Sequence, residues 1–334
     1  MKIDVITTCD TSPGWAPVMH LGKLAAQLFG GDFENVLSRG PSRWRKALAL
    51  RPRWRNRGSD GLLIVLKYAH EMSAVRQLAQ FRQAYRFVAV WIIDSPLTEM
   101  MPPRGSFSDI DFLGVMRPND MEAFRRIAGD RVVWLGWGSD VLGLGSGSPL
   151  RPTDLLRVGR QPDAWDNDAQ TAHHAAERGL VFEGRPTFSP DPDINQRMLV
   201  DCLAQTKYVV AHSNLVSQSA YTHKSQEYIT ARWTDALACG ASVAGYQPLT
   251  DHSMKELLWP DATLHFDRVD LAHNLEALAE AVHAWTPKRA QDNHHQALAR
   301  LDWRWRLKII ADHAGLRSNK LERDLDHINT CIGQ

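Results

Sequence analysis

The sequence predicts an α/β protein made of two Rossmann-like, doubly wound domains facing a cleft, with an amphipathic helix at its C-terminal end. Three observations carry this. Continuous apolar runs stand at 62–66 (LLIVL) and 87–93 (FVAVWII), as in parallel strands buried on both faces. Segments of helical spacing alternate with such runs, which is the pattern of βαβ units. A Gly/Ser-rich stretch at 136–149 (GWGSDVLGLGSGSP), with five Gly and three Ser, divides a chain of 334 residues, a length at which one core has usually become two.

Taken in order, 2–8 (KIDVITT) reads as a strand and 11–17 (TSPGWAP) as a turn-rich loop. A helix follows over 18–28, with Leu21, Leu24, Ala25 and Leu28 on one side. A helix over 71–85 joins the two apolar strands, and strands at 112–116 and 132–135 flank a helix through 122–127. After the Gly/Ser stretch, strands are expected at 155–158, 180–182, 208–211 and 241–244, and helices at 193–205, 227–238 and 271–284. The segment 294–314 (HHQALARLDWRWRLKIIADHA) reads as one long amphipathic helix. The expected domains are 1–145, 146–293 and a C-terminal helix and tail over 294–334.

Composition sets limits. There are 39 Lys plus Arg against 38 Asp plus Glu, a formal charge of +1, so the chain is not dedicated wholly to nucleic acid. The balance is uneven: residues 1–150 hold 19 basic and 14 acidic side chains (+5), the remainder 20 and 24 (−4). Cys9, Cys202, Cys239 and Cys331 form no close pair, which suits reduced cytosolic thiols. No secretory signal and no apolar run long enough to span a bilayer is present, so the expected location is cytoplasmic, soluble or peripheral at the inner face of the membrane.

The most informative stretch is 224–246 (KSQEYITARWTDALACGASVAGY). Gly240 suits the left-handed residue that ends a helix. Glu227 and Asp235 are eight positions apart, and on one helix they would share roughly one face. A helix starting just after Glu227 would point its first amides at an anion. The bland reading is an amphipathic helix with solvated acids.

Glu227, seven residues, Asp235 and then ALACGASVAG resembles the acidic signature of the group 1 (family 4-like) nucleotide-sugar glycosyltransferases of GT-B fold. The run LRVGR at 156–160 is similar to the strand and Gly-Arg turn that open their nucleotide-binding domain, and LDWRWRLKII resembles their terminal helix. The resemblance covers about 154–314. It implies a nucleotide-sugar donor held by the second domain, with Glu227 on the donor sugar, Asp235 on the ribose and Arg160 on the diphosphate. It further implies a glycan or lipid-linked acceptor held by the first domain, in polysaccharide or envelope assembly. No cofactor is implied. Three departures stand out. Asp235 replaces the usual Glu, GRQPDAWDND lacks the lysine expected after the Gly-Arg turn, and EYITA lacks a glycine. Lys224 and Arg232 are the candidates for the missing cation.

In the first domain, Gly14 in the 8–17 loop would allow close approach of the donor phosphates. Asp94 follows a strand and precedes Pro96; it is the preferred base for an inverting reaction. In a retaining reaction, the course expected here, a phosphate oxygen takes the acceptor proton. The bland reading of Asp94 is a turn residue, and of His70, just beyond the LLIVL strand, a structural side chain. Four Asp-x-Asp triplets read as chance, and no metal is expected.

Residues 39–57 (RGPSRWRKALALRPRWRNR) hold eight basic and no acidic side chains. Arg43, Trp44, Arg45, Arg53, Trp54 and Arg55 make this a candidate surface for an anionic membrane or an acceptor; RNA is the less favoured partner. Two competing functions remain open at this point: a nucleotide-sugar epimerase on the same fold, and a non-enzymatic nucleic-acid or membrane-binding protein.

Overall fold

The computed structural model describes residues 2–9, 13–36, 59–73, 75, 84–103, 105–187, 189, 191–219 and 222–333. The chain forms two compact units. Unit 1 is Met1–Gly136 with Arg304–Asp326, and unit 2 is Trp137–Trp303 with His327–Gln334.

Unit 1 is built on six parallel strands: β1 (Ile3–Thr7), β2 (Phe33–Asn35), β3 (Gly61–Leu66), β4 (Phe87–Ile92), β5 (Phe112–Val115) and β6 (Val132–Trp134). Their order is β2-β1-β3-β4-β5-β6. Because β1 has β2 on one side and β3 on the other, the winding direction reverses between β1 and β3. Every residue of β3 is buried, which explains its unbroken apolar run. Leu62, Ile64, Val88, Val90, Leu113, Val115 and Phe124 form one core. The helix Ala16–Phe29 covers β1 with Leu21, Leu24 and Leu28 buried, and it ends on Gly30 at φ 66. The helix expected at 71–85 falls largely outside the described residues, as do all of Arg43, Trp44, Arg45, Arg53, Trp54 and Arg55.

Unit 2 repeats the plan with five strands: β7 (Thr153–Arg157), β8 (Phe182–Glu183), β9 (Thr206–Val210), β10 (Ser242–Gly245) and β11 (Thr263–His265). The order β11-β10-β9-β7-β8 again reverses beside its first strand, here between β7 and β9, and all pairings are parallel. Strand β11 and the edge strand β2 have no counterpart in the sequence expectations. Each has only three residues and no apolar run.

Two expected helices differ. The single helix over 294–314 is two, Pro287–Arg300 and Trp303–His313. The break arises because Asp302 bridges to Ser139: the Ser139 N–H donates to the Leu301 carbonyl at 2.9 Å and the Trp303 N–H to the Ser139 carbonyl at 3.0 Å. The Asp302 carboxylate also accepts the Leu142 N–H at 2.8 Å. The Gly/Ser stretch is therefore pinned within unit 2 instead of forming a loose tether. The helix expected to start at 227 instead runs Ala231–Ala238, preceded by Thr230 in extended backbone (φ −114°, ψ 171°). Glu227 therefore stands in a loop, and it shares no helix face with Asp235. Downstream, the chain returns to unit 1. There His313 packs edge-on against Phe112 (4.9 Å), and Arg304 Nε donates to Asp324 at 2.7 Å.

Among the described residues, no helix is long and apolar enough to cross a membrane, and no group of three or more His, Cys, Asp and Glu side chains is placed to hold a metal ion.

Candidate functional site

Doubly wound sheets bind ligands beyond the C-terminal ends of their strands, where the winding reverses. In unit 2 that place lies between the ends of β7 and β9. After β7 the chain turns at Gly159, whose φ of +74° disfavours any side chain; a Cβ there would stand 2.6 Å from Cδ of Arg232. Arg232 comes from the first turn of the helix Ala231–Ala238. Its Nη1 donates to the Arg160 carbonyl at 3.1 Å and its Nη2 to the His212 carbonyl at 3.3 Å. Gln161 adds a second tie, donating from Nε2 to the Val210 carbonyl at 3.0 Å. The Gly-Arg turn and the end of β9 are thus clamped by one guanidinium.

Glu227 is buried beside them, at 4% exposure. Its Oε1 accepts the Ser213 hydroxyl at 2.7 Å, and its Oε2 accepts the N–H and hydroxyl of Thr250 at 3.0 and 2.9 Å. The loop carrying Glu227 is fixed independently. Asn214 donates to the carbonyls of His223 and Gln226, both at 2.9 Å, and Asp251 accepts the Ile229 N–H at 3.0 Å. Asp235 lies on the buried side of its helix, where Oδ1 accepts the Ser139 hydroxyl at 2.7 Å. Lys224 is exposed on the loop, and Arg160 is half-buried.

The sequence-predicted donor residues of unit 2 therefore fall into two groups. Arg160, Arg232 and Glu227 are joined through short hydrogen-bonded links by way of 212–213. Asp235 is three residues beyond Arg232 on the same helix but faces Ser139, and Lys224 is the outermost. The sequence reading missed Gln161, His212, Ser213, Asn214 and Thr250. A polar AHSN immediately after an apolar strand was the available signal for three of them.

In unit 1 the corresponding place lies between the ends of β1 and β3. Thr8 donates its hydroxyl to Glu71, whose Oε2 also accepts the Lys67 N–H at 3.0 Å. Lys67 Nζ stands 3.6 Å from Glu71 Oε1, with both side chains about 5% exposed or less. The ammonium also lies 5.3 Å from the Trp15 ring centroid and 5.9 Å from that of Tyr68. Burial raises the Glu71 pKa above its ordinary value, against the lowering effect of Thr8 and Lys67. None of Thr8, Trp15, Lys67, Tyr68 and Glu71 was singled out from the sequence. His70, which was, is exposed and stacks on Tyr68 at 5.6 Å. Asp94 is half-buried just beyond β4, and its N–H donates to the Lys67 carbonyl at 2.8 Å. The adjacent Ser95 donates to Asp120 at 2.6 Å, and the buried Arg117–Asp120 pair fixes that turn. Gly14 is exposed in the turn Pro13–Trp15, with open space around it.

No family model and no curated protein matches the chain. Solved structures do. The chain is similar to Anabaena HepE (Alr3699), crystallised with UDP and glucose, at 11% identity and a TM-score of 0.57, covering 94% of this chain and 100% of that one. It is similar to sucrose-phosphate synthase from Thermosynechococcus elongatus at 13% identity and a TM-score of 0.51, covering 98% and 100%. A glycosyltransferase from Rickettsia africae matches at 10% identity and a TM-score of 0.53, covering 99% of both chains. With both sheets parallel and doubly wound, the chain has the GT-B glycosyltransferase fold.

Proposed function

We propose that the protein is a glycosyltransferase that moves a sugar from a nucleotide-sugar donor held by unit 2 to an acceptor hydroxyl presented by unit 1. The observation that carries this reading is the Arg232 clamp on the Gly159–Arg160 turn beside buried Glu227. The Arg232 guanidinium stands at the reversal point, where a doubly wound sheet takes its ligand, with Arg160 in the turn it clamps, and arginine forks match phosphate oxygens. HepE was solved with UDP and glucose, so a uridine diphosphate hexose is the first donor to try.

In the reaction, the bond from the anomeric carbon to the diphosphate oxygen breaks and a bond to the acceptor oxygen forms. Arg160 and Arg232 stabilise the charge that develops on the departing diphosphate. Glu227, held by Ser213 and Thr250, accepts a hydroxyl of the donor sugar, and Asp235 exchanges the Ser139 hydroxyl for the ribose diol. We favour retention at the anomeric carbon, with the acceptor proton passing to a phosphate oxygen of the leaving group. Asp94 is the base should the reaction invert. The arginines fill the charge-neutralising role a divalent ion would otherwise take, so turnover persists in EDTA. A glycan or lipid-linked acceptor, a role in polysaccharide or envelope assembly, and contact of residues 39–57 with an anionic membrane complete the proposal.

The test is product analysis with UDP-glucose, alone and with oligosaccharide or lipid-linked acceptors. A glycosylated product formed in step with UDP release, and lost in Glu227→Gln, is expected. Conversion of the donor sugar without any acceptor, or no consumption of any nucleotide sugar, would overturn the reading.

A further inference from the structure

Beyond the residues given roles above, the end of β9 carries a side chain whose geometry is unusually determined. His212 is fully buried, packed against the rings of Trp165 (6.0 Å between centroids) and Phe266 (5.8 Å). Its Nδ1 accepts the Tyr246 N–H at 3.2 Å. A ring nitrogen that accepts carries no proton, so the neutral ring has its proton on Nε2. That Nε2 is buried and meets no protein acceptor. One residue on, the Ser213 N–H donates to the Tyr246 carbonyl at 2.7 Å. Tyr246 is therefore gripped on both sides of its backbone, immediately past β10. The imidazole supplies a rung that the main chain does not.

The consequences reach both chemical groups of the site. The His212 carbonyl accepts Arg232 at 3.3 Å, and the Ser213 hydroxyl donates to Glu227 at 2.7 Å. If the ring slipped from Tyr246, residues 212–213 would move, and the guanidinium and the carboxylate would move with them. A protonated imidazole could not accept at Nδ1, and its charge would face the Arg232 guanidinium. Burial first, and Arg232 second, push its pKa down to about 3.

We propose that His212 is a positioning residue of the donor site, a permanently neutral imidazole that locks the end of β10 to the end of β9 and so sets the spacing of Arg232 and Glu227. This deepens the nucleotide-sugar reading and rests on it. The acceptor nitrogen is what matters. Asparagine can place its Oδ1 where Nδ1 stands, whereas leucine fills the space with no acceptor.

The experiment uses the full chain and UDP as the probe, at a temperature where circular dichroism shows each variant folded. His212→Asn is expected to bind UDP within about threefold of the wild type. His212→Leu is expected to raise the Kd for UDP and the KM for UDP-glucose about tenfold or more, with kcat changed less than about threefold, as when binding common to ground and transition states is lost. Nitrogen-15 spectra of the imidazoles should show a ring held as the neutral Nε2–H tautomer from pH 5 to 8 whose signal vanishes in His212→Asn. Folded His212→Leu binding UDP like the wild type would overturn the inference alone, as would a His212 ring that titrates near 6.5 or carries its proton on Nδ1. A wild-type protein that binds no nucleotide would overturn the donor reading and this inference together.

Discussion

The two units wind their sheets in the same order, yet they finish the reversal point in opposite ways. In unit 1 the ends of β1 and β3 carry a buried ion-pair cluster. Lys67 meets Glu71, Thr8 and two backbone N–H groups complete Glu71, and the Trp15 and Tyr68 rings cover the ammonium. In unit 2 the ends of β7 and β9 are clamped by Arg232, but around that clamp buried polar atoms have no protein partner. Gln161 Oε1, Trp165 Nε1, His212 Nε2 and Asn214 Oδ1 are such atoms, and among the described residues no counterpart is found in unit 1. Buried polar groups are normally satisfied, so a cluster of exceptions needs an explanation. Under the proposed function, the unsatisfied atoms of unit 2 belong to a ligand seat, whereas the same topology in unit 1 carries a buried ion pair. What differs is a handful of side chains just past the strands, and the sheets themselves are alike.

The comparison breaks most readily through the ion pair of unit 1. Removing one member of a buried pair leaves the other charged and unpaired, so Glu71→Leu should lower unfolding free energy by about 3–5 kcal/mol in urea titrations. Nucleotide affinity should change little. If Glu71→Leu instead abolished UDP binding in a still-folded protein, unit 1 would hold the donor and the contrast would be reversed.

The next largest effect belongs to unit 2. Arg232→Ala should reduce kcat/KM for a nucleotide sugar about 100-fold, equivalent to about 2.7 kcal/mol, because a charged donor facing the leaving group is lost. Its melting temperature should fall far less than that of Glu71→Leu.

Acid unfolding sharpens the contrast, because the two reversal points carry opposite signs. His212 has its folded pKa depressed to about 3 from an ordinary 6.5. The unfolded chain therefore binds more protons between those values, and this contribution is complete above pH 6.5 and is lost progressively as pH falls toward 3. Glu71 has its folded pKa raised above 4.5, so its contribution is present below pH 4.5 and is lost as pH rises through the raised value. From pH 6.5 to 5.5 the His212 ring should remove up to about 1.4 kcal/mol of stability. Urea titrations should show a steeper slope in the wild type than in His212→Asn, where what remains comes from other groups such as His294, whose pKa is also lowered by burial. An equal slope in both would mean that the buried ring is not what titrates.

These expectations separate what the amino-acid pattern displays from what only the folded chain decides. The strands LLIVL and FVAVWII were plain, because burial on both faces leaves no polar alternation to read. The Gly-Arg turn and Glu227 were also legible, since local motifs stay together in the chain. The start of the helix before Asp235 was not. Residues 226–230 are held out of it by Asn214 and Asp251, which are distant in sequence. The break at Asp302 depends on Ser139, a partner on the far side of unit 2's sequence. His212 looked like any polar residue after a strand; its meaning comes from Tyr246, thirty-four positions on. Lys67 and Glu71 form an ordinary i,i+4 pair by spacing, and only burial separates them from a solvated one.

The smallest effect is expected at Lys224. It is exposed, and solvent screens its charge, so Lys224→Ala should change KM for the donor less than about threefold. A tenfold rise would make Lys224, and not Arg232, the substitute for the lysine absent after the Gly-Arg turn.

The central claim, that unit 2's reversal point is the nucleotide-sugar seat, is met most directly by calorimetric titration of UDP into the wild type and Arg232→Ala at one ionic strength. Saturable binding by the wild type, weakened about 30-fold or more in a variant of unchanged fold, is the predicted result. Equal affinity in the two proteins, or no binding heat with the wild type, would contradict it.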